Sequence, residues 1–134
     1  MKIDLATQAD YDYLAQHDHH VRPAVIRQKI ARGEIILLRL EERPIGWLRY
    51  GYFWDEIPFM NLLHVEEAYR RQGHGTRLVT FWEDEMRRQN YDRVMTSSLS
   101  DEQAQHLYRR LGYQDCGALK EPGQALEVIF LKLL

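Results

Sequence analysis

The sequence predicts a mixed α/β (α+β) fold, with a central, mostly antiparallel mixed sheet of about six to seven strands flanked by about four helices. Three observations predict it. Strand-like and helical stretches interleave in the order β α α β β β α β α β β. Residues 35–65 carry three strand patterns separated by turn signals, which reads as an antiparallel meander. A long amphipathic stripe then lies between two strand patterns, as in a βαβ-like unit. At 134 residues the chain is sized for one domain spanning 1–134.

Lys2–Ala6 alternates as a strand. Thr7 reads as a helix N-cap, with Asp10 in a capping-box position, and the helix runs to about His17. Asp18–Arg22 is a polar break. Pro23 suits the first turn of a second helix, where Ile26 and Ile30 share a face and Gly33 closes the end. Ile35–Leu40 is a β-branched and leucine run. Glu42-Arg43-Pro44 is a turn signal, Ile45–Phe53 resumes as a strand, Trp54–Pro58 interrupts it, and Phe59–Val65 is the third run. Gly75, Leu78, Val79, Trp82 and Met86 form one apolar stripe, so a helix is expected from about Gly73 to Asn90. Arg93–Ser97 is a short strand. Ser100 or Asp101 is the expected cap of a helix whose core face is Ala104, Leu107, Tyr108 and Leu111, and Gly112 ends it. Tyr113–Ala118 and Glu127–Leu133 are the last strands, separated by a turn at Pro122-Gly123.

Composition excludes several classes. Hydrophobic residues are 45% and charged residues 28%, which suits a globular chain and not a disordered one. Apolar runs such as Ile35–Leu38 are too short to span a bilayer, so no membrane partner is expected. Met1–Asp4 has no apolar signal region, and a cytoplasmic location is expected. The net charge of −2 supplies no basic field, so no nucleic-acid partner is expected. Arg87 and Arg88 follow Glu83, Asp84 and Glu85 by one turn, which reads as i,i+4 pairing on a solvated face. The single cysteine, Cys116, excludes a disulfide framework and reads as a small buried residue. His17-Asp18-His19-His20 is the only histidine cluster, nothing in the spacing completes a ligand set, and no metal is expected.

The sharpest local signal is a strand, then Arg70-x-x-Gly73-x-Gly75, then the long helix. A helix N-terminus offers unpaired N–H groups and partial positive charge. Glycines there admit close approach of a ligand to the backbone. Such a turn suits a phosphate or pyrophosphate. A Walker loop needs Lys after the glycine, and none follows Gly75. A dinucleotide fold needs a third glycine where Leu78 stands. A coenzyme A pyrophosphate site is the third candidate, and a purely structural strand-to-helix turn is the alternative reading of Gly73 and Gly75.

Leu62–Gly117 resembles the GNAT superfamily of acyl-CoA-dependent N-acetyltransferases, with a likeness to its small bacterial members. Arg70-x-x-Gly73-x-Gly75 matches that family's acyl-CoA motif, and Ala104-x-x-Leu107-Tyr108-Arg109-Arg110-Leu111-Gly112-Tyr113 resembles its second motif. The element order suits the family over essentially the whole chain. One departure is Asp101, where the family often has Asn; Asp lacks the amide donor.

The resemblance implies acetyl-CoA as cosubstrate and direct attack by a primary amine of a small molecule or peptide in a ternary complex. It implies that Arg70, Arg71, Gln72, Gly73, His74, Gly75 and Thr76 hold the pyrophosphate, chiefly through backbone N–H groups. Leu63, His64 and Val65 would flank the pantetheine arm, with an N–H near Leu63 facing the developing oxyanion. Asp101 and Ala104 are candidate cofactor contacts, and Tyr108 is the candidate acid for the leaving thiolate. On the acceptor side, Glu56 is the candidate base, and Trp54, Asp55, Asn61, His19 and His20 are candidate substrate contacts. A catalytically inactive acyl-CoA-binding or sensing module is the alternative. Relatives often pair, so a homodimer is a further expectation.

Overall fold

The computed structural model describes residues 1–134. β1 (Lys2–Leu5) leads through a 3-10 turn at Gln8–Asp10 into α1 (Tyr11–His17) and α2 (Pro23–Ala31). Then come β2 (Ile35–Leu40), β3 (Arg43–Phe53) and β4 (Ile57–Val65). α3 (His74–Arg88), β5 (Arg93–Leu99), α4 (Ala104–Arg110), β6 (Gln114–Leu119) and β7 (Glu127–Leu133) complete the chain. The strands form one mixed sheet in the order β1-β2-β3-β4-β5-β7-β6. β1 with β2, β2 with β3, β5 with β7 and β7 with β6 run antiparallel, and β4 with β5 runs parallel. A parallel pair needs a crossover, and α3 supplies it. The predicted fold class is therefore the observed one.

Several boundaries differ from expectation. The turn after β2 sits at Glu41-Glu42, both at positive φ, and β3 already begins at Arg43. Pro44 is accommodated because the β2–β3 register shifts between Leu38 and Arg39, opposite it. Ile57 and Pro58 belong to β4, because Trp54 and Asp55 turn the chain tightly with φ of 55° and 62°. Gln103, and neither Ser100 nor Asp101, occupies the cap position of α4, with no side-chain cap bond. β5 continues to Leu99, whose N–H donates to Glu102 Oε1 at 3.0 Å. Gln105 Nε2 then donates to the carbonyls of Ser100 and Glu102 at 2.8 Å each. The segment is closed by side chains downstream of the expected caps.

The chain divides into two compact units, residues 1–50 with 62–81, and residues 51–61 with 82–134. In the first, Leu14, Ile26 and Ile30 from the helices and Ile35, Leu37 and Trp47 from alternate strand positions form one buried cluster. Thr7 N–H donates to Asp10 Oδ2 at 2.8 Å, the expected reciprocal cap. Three buried carboxylates there each have a cation: Asp10 with Arg39, Asp18 with Arg49, and Glu34 with Lys29.

In the second unit, Trp82, Met86, Val94, Tyr108, Tyr113 and Phe130 are buried. Glu83 is buried too, accepting from Tyr113 Oη at 2.7 Å and from Lys132 Nζ at 3.0 Å. It does not belong to a solvated face, since its phase on α3 matches the core. Arg87 and Arg88 pair at i,i+3 with Asp84 and Glu85, not at i,i+4. Cys116 is exposed, contrary to expectation, because β6 is the edge strand and all six of its residues are exposed. No helix is long and apolar enough to cross a membrane.

Candidate functional site

The turn between β4 and α3 is shaped by conformations few side chains adopt. Arg71 has φ +62° and Gly73 has φ +82°. A Cβ placed on Gly73 would meet nothing within 4 Å, so the space beside this glycine is open. The first helical hydrogen bond of α3 runs from Arg77 N–H to Gly73 O at 3.1 Å. The N–H groups of His74, Gly75 and Thr76 therefore precede the intrahelical ladder. The His74 ring is buried at 7% exposure, and its Nδ1 has no hydrogen-bond partner. Unused amides, partial positive charge and open space at a glycine fit a diphosphate, such as that of coenzyme A.

Arg70 Nε donates to the Val65 carbonyl at 2.7 Å, so this side chain clamps the turn to the end of β4. Arg71, Gln72 and Gly73 are exposed, and Gly75 and Thr76 are half-buried. Leu63, His64 and Val65 are half-buried on β4. The His64 ring lies 4.5 Å from that of Trp47, and burial, then the Arg70 charge, lowers its pKa below 6.5. A Cβ on Gly46 would sit 2.8 Å from the His64 carbonyl, so β3 approaches β4 there as only glycine allows.

Tyr108 is 4% exposed on α4, its ring 5.9 Å from Tyr113 and 6.0 Å from Phe130. Burial pushes its hydroxyl up to about 12, against a hydrogen bond with Thr96 that lowers it. Thr96 in turn donates to the Met60 carbonyl at 2.9 Å. Ala104 is half-buried at the start of α4, and Asp101 is exposed.

The acceptor-side candidates fall in three places. His19 and His20 are exposed and line a depression of about 420 Å³ with Val21, Arg22 and Val25. Their loop is pinned by Asp18, which accepts from His20 N–H at 3.2 Å and from Arg49 Nε at 2.9 Å. Glu56 lines another depression, of about 380 Å³, beside Asn90, Tyr91 and Arg93. Asn61 lines a third, a cleft of about 290 Å³ walled by Tyr52, Phe53 and Phe59. Trp54, 76% exposed, stands 4.7 Å from Phe53, ring to ring, while Asp55 is exposed beside it. The structure thus brings Trp54 and Asn61 to the surroundings of the cleft and does not bring Glu56 into its lining. Ser97, Leu119, Ile129 and Glu127 complete that lining, and sequence reasoning missed all four. The available signal was the strand Glu127–Leu133, in which a lone acid opens an apolar run and shares a face with Ile129. No three His, Cys, Asp or Glu side chains converge as a metal-ligand group.

No curated protein matches the sequence. Solved structures do match over nearly the whole length. Ard1 from Thermoplasma volcanium is similar with a TM-score of 0.86 at 17% identity, over 99% of this chain and 97% of that one. A ribosomal-protein-alanine N-acetyltransferase from Brucella melitensis gives 0.83 at 20% identity, over 100% of both chains. A GNAT family acetyltransferase from Elizabethkingia anophelis with acetyl-CoA bound gives 0.76 at 20% identity, over 99% and 97%. At these identities the likeness speaks for the fold. The sequence itself matches the Acetyltransferase (GNAT) family over residues 4–113, which span the glycine turn, α3 and the Tyr108 helix, and the chain belongs to that family.

Proposed function

We infer that the chain is an acetyl-CoA-dependent N-acetyltransferase acting on a primary amine of a small molecule or peptide. The observation that carries this reading is the turn at the start of α3, where three amides precede the helical ladder beside an open glycine. The family supports it, and so do solved relatives: one holds acetyl-CoA, and another is an N-acetyltransferase for ribosomal-protein alanine.

Acetyl-CoA, when bound, supplies an activated acetyl thioester. The amides of His74, Gly75 and Thr76 bind the diphosphate, with Arg71 and Gln72 on the outer side of the turn. Arg70 keeps that turn docked on β4 through the Val65 carbonyl. β4 pairs with β5 at Phe59 and Met60, and its continuation near Leu63 is proposed to orient the pantetheine arm and to offer an N–H to the thioester oxygen. Asp101 and Ala104 are proposed to border the arm at the start of α4.

Tyr108 holds a proton at Oη for the leaving thiolate. With its hydroxyl at about 12, complete transfer to a thiol of reference pKa ~8.5 is uphill by about 5 kcal/mol. Tyr108 therefore acts as a hydrogen-bond donor to developing negative charge, and the proton passes late.

A titration with acetyl-CoA, followed by thiol release across a panel of amines, tests the reading. Gly73→Val places a β-branched side chain at φ +82° and into the open space. It is expected to weaken acetyl-CoA binding at least ~10-fold, at a stability cost of about 1–3 kcal/mol. Absence of acetyl-CoA binding to the wild type overturns the proposal. The burial of Tyr108 favours a second reading, an acyl-CoA-sensing module without turnover; tight binding with no thiol release on any amine would select it.

A further inference from the structure

Every buried or half-buried side-chain carboxylate of the chain but one pairs with a cation. Asp4 and Asp10 meet Arg39, Asp18 meets Arg49, and Glu34 meets Lys29. Glu66 faces Arg43, Glu83 meets Lys132, and Glu85 meets Arg88. Glu127 is the exception: it is half-buried and has no cation within the chain. It opens β7, flanked in the ladders by Leu99 of β5 and Leu119 of β6. It also lines the 290 Å³ cleft, whose walls include no Lys, Arg or His. A half-buried carboxylate with no cation of its own, set among apolar walls, is open to pairing with a cation from outside.

The rest of the cleft says what carries that cation. Phe53 and Phe59, with ring centroids 6.2 Å apart, form one wall, and Leu119 and Ile129 form another. These surfaces suit an aromatic or branched apolar body. The cleft, of about 290 Å³, has room for a phenylalkyl group. One carboxylate matches one positive charge. The Glu127 charge also reaches the Tyr108 hydroxyl and helps to raise its pKa, which places the anion within electrostatic range of the candidate acid.

We propose that Glu127 binds the ammonium of the acceptor, and that the acceptor is a monocationic primary amine on an aromatic or branched apolar body. Naming this ligand the acceptor rests on the transferase reading; the binding of such an amine does not. Its binding is therefore measured apart from turnover.

The probe is 2-phenylethylamine, with 2-phenylethanol and spermidine as comparators, read by calorimetry or ligand-observed NMR with and without coenzyme A. Wild-type protein is expected to bind the amine at least ~10-fold more tightly than the alcohol, from the strength of a charge-assisted contact. Spermidine is expected to bind no more tightly than 2-phenylethylamine. Glu127→Gln removes the charge and keeps the shape; it should erase the advantage of the amine and leave coenzyme A affinity unchanged. Leu119→Lys alters an exposed residue and places a competing cation beside Glu127, with the same expected loss. Equal binding of amine and alcohol to the wild type, tighter binding of spermidine, or undiminished amine binding in both variants overturns the proposal. Amine binding without acetyl transfer upholds the anion site and sinks the transferase reading alone.

Discussion

The hydroxyl of Tyr108 serves the core and, on our reading, the chemistry. Its ring is one of a buried trio with Tyr113 and Phe130, and its oxygen meets Thr96. Tyr108→Phe keeps the ring and removes only the proton donor. Turnover is expected to fall at least ~10-fold with acetyl-CoA affinity little changed. Because the hydroxyl is pushed up to about 12, it stays protonated to ~pH 10, and no alkaline fall in rate below that is assigned to it. Steady-state kinetics with separate binding titrations check this; unchanged turnover removes the acid role. The place of Tyr108 was legible because helical spacing puts residues 104, 107, 108 and 111 on one face. Glu127 was not legible, since a single acid at a strand start resembles any solvated strand end until its neighbours in space are known.

Local chemistry placed the elements better than it placed their ends. α3 followed from its stripe and its glycines, and α2 from Pro23. The start of α4 was misplaced because β5 uses two more residues to complete its ladder with β7, through Ser98↔Val128 and Leu99↔Glu127. That partner lies some thirty positions downstream. The link between α1 and α2 shows the converse, a polar stretch whose order depends on one buried ion pair. Asp18 and Arg49 side chains are 1% and 5% exposed. Asp18→Ala strands the guanidinium and frees the His20 amide. It is expected to lower the unfolding free energy by about 3–5 kcal/mol in urea denaturation. A loss below ~1 kcal/mol would show that the pair is redundant.

The seven-stranded architecture was legible from the order of patterns, and the spatial order of the strands was not. β7 inserts between β5 and β6, which no local pattern encodes, and β6 becomes an edge. Cys116 consequently faces solvent. Native protein is expected to react with a thiol reagent to one equivalent without denaturant, and protection until unfolding would contradict this edge placement. The same insertion builds the 290 Å³ cleft from residues of strands β3 to β7. The β6–β7 register also slips between Asp115 and Gly117, so the outermost strand is kinked. A terminal ribbon with a straight row of unmet amides is a template for runaway stacking of one copy upon the next. The skipped rung at Cys116 breaks that row, and straightening it with β-branched residues would turn the rim of the molecule into a seed for fibres.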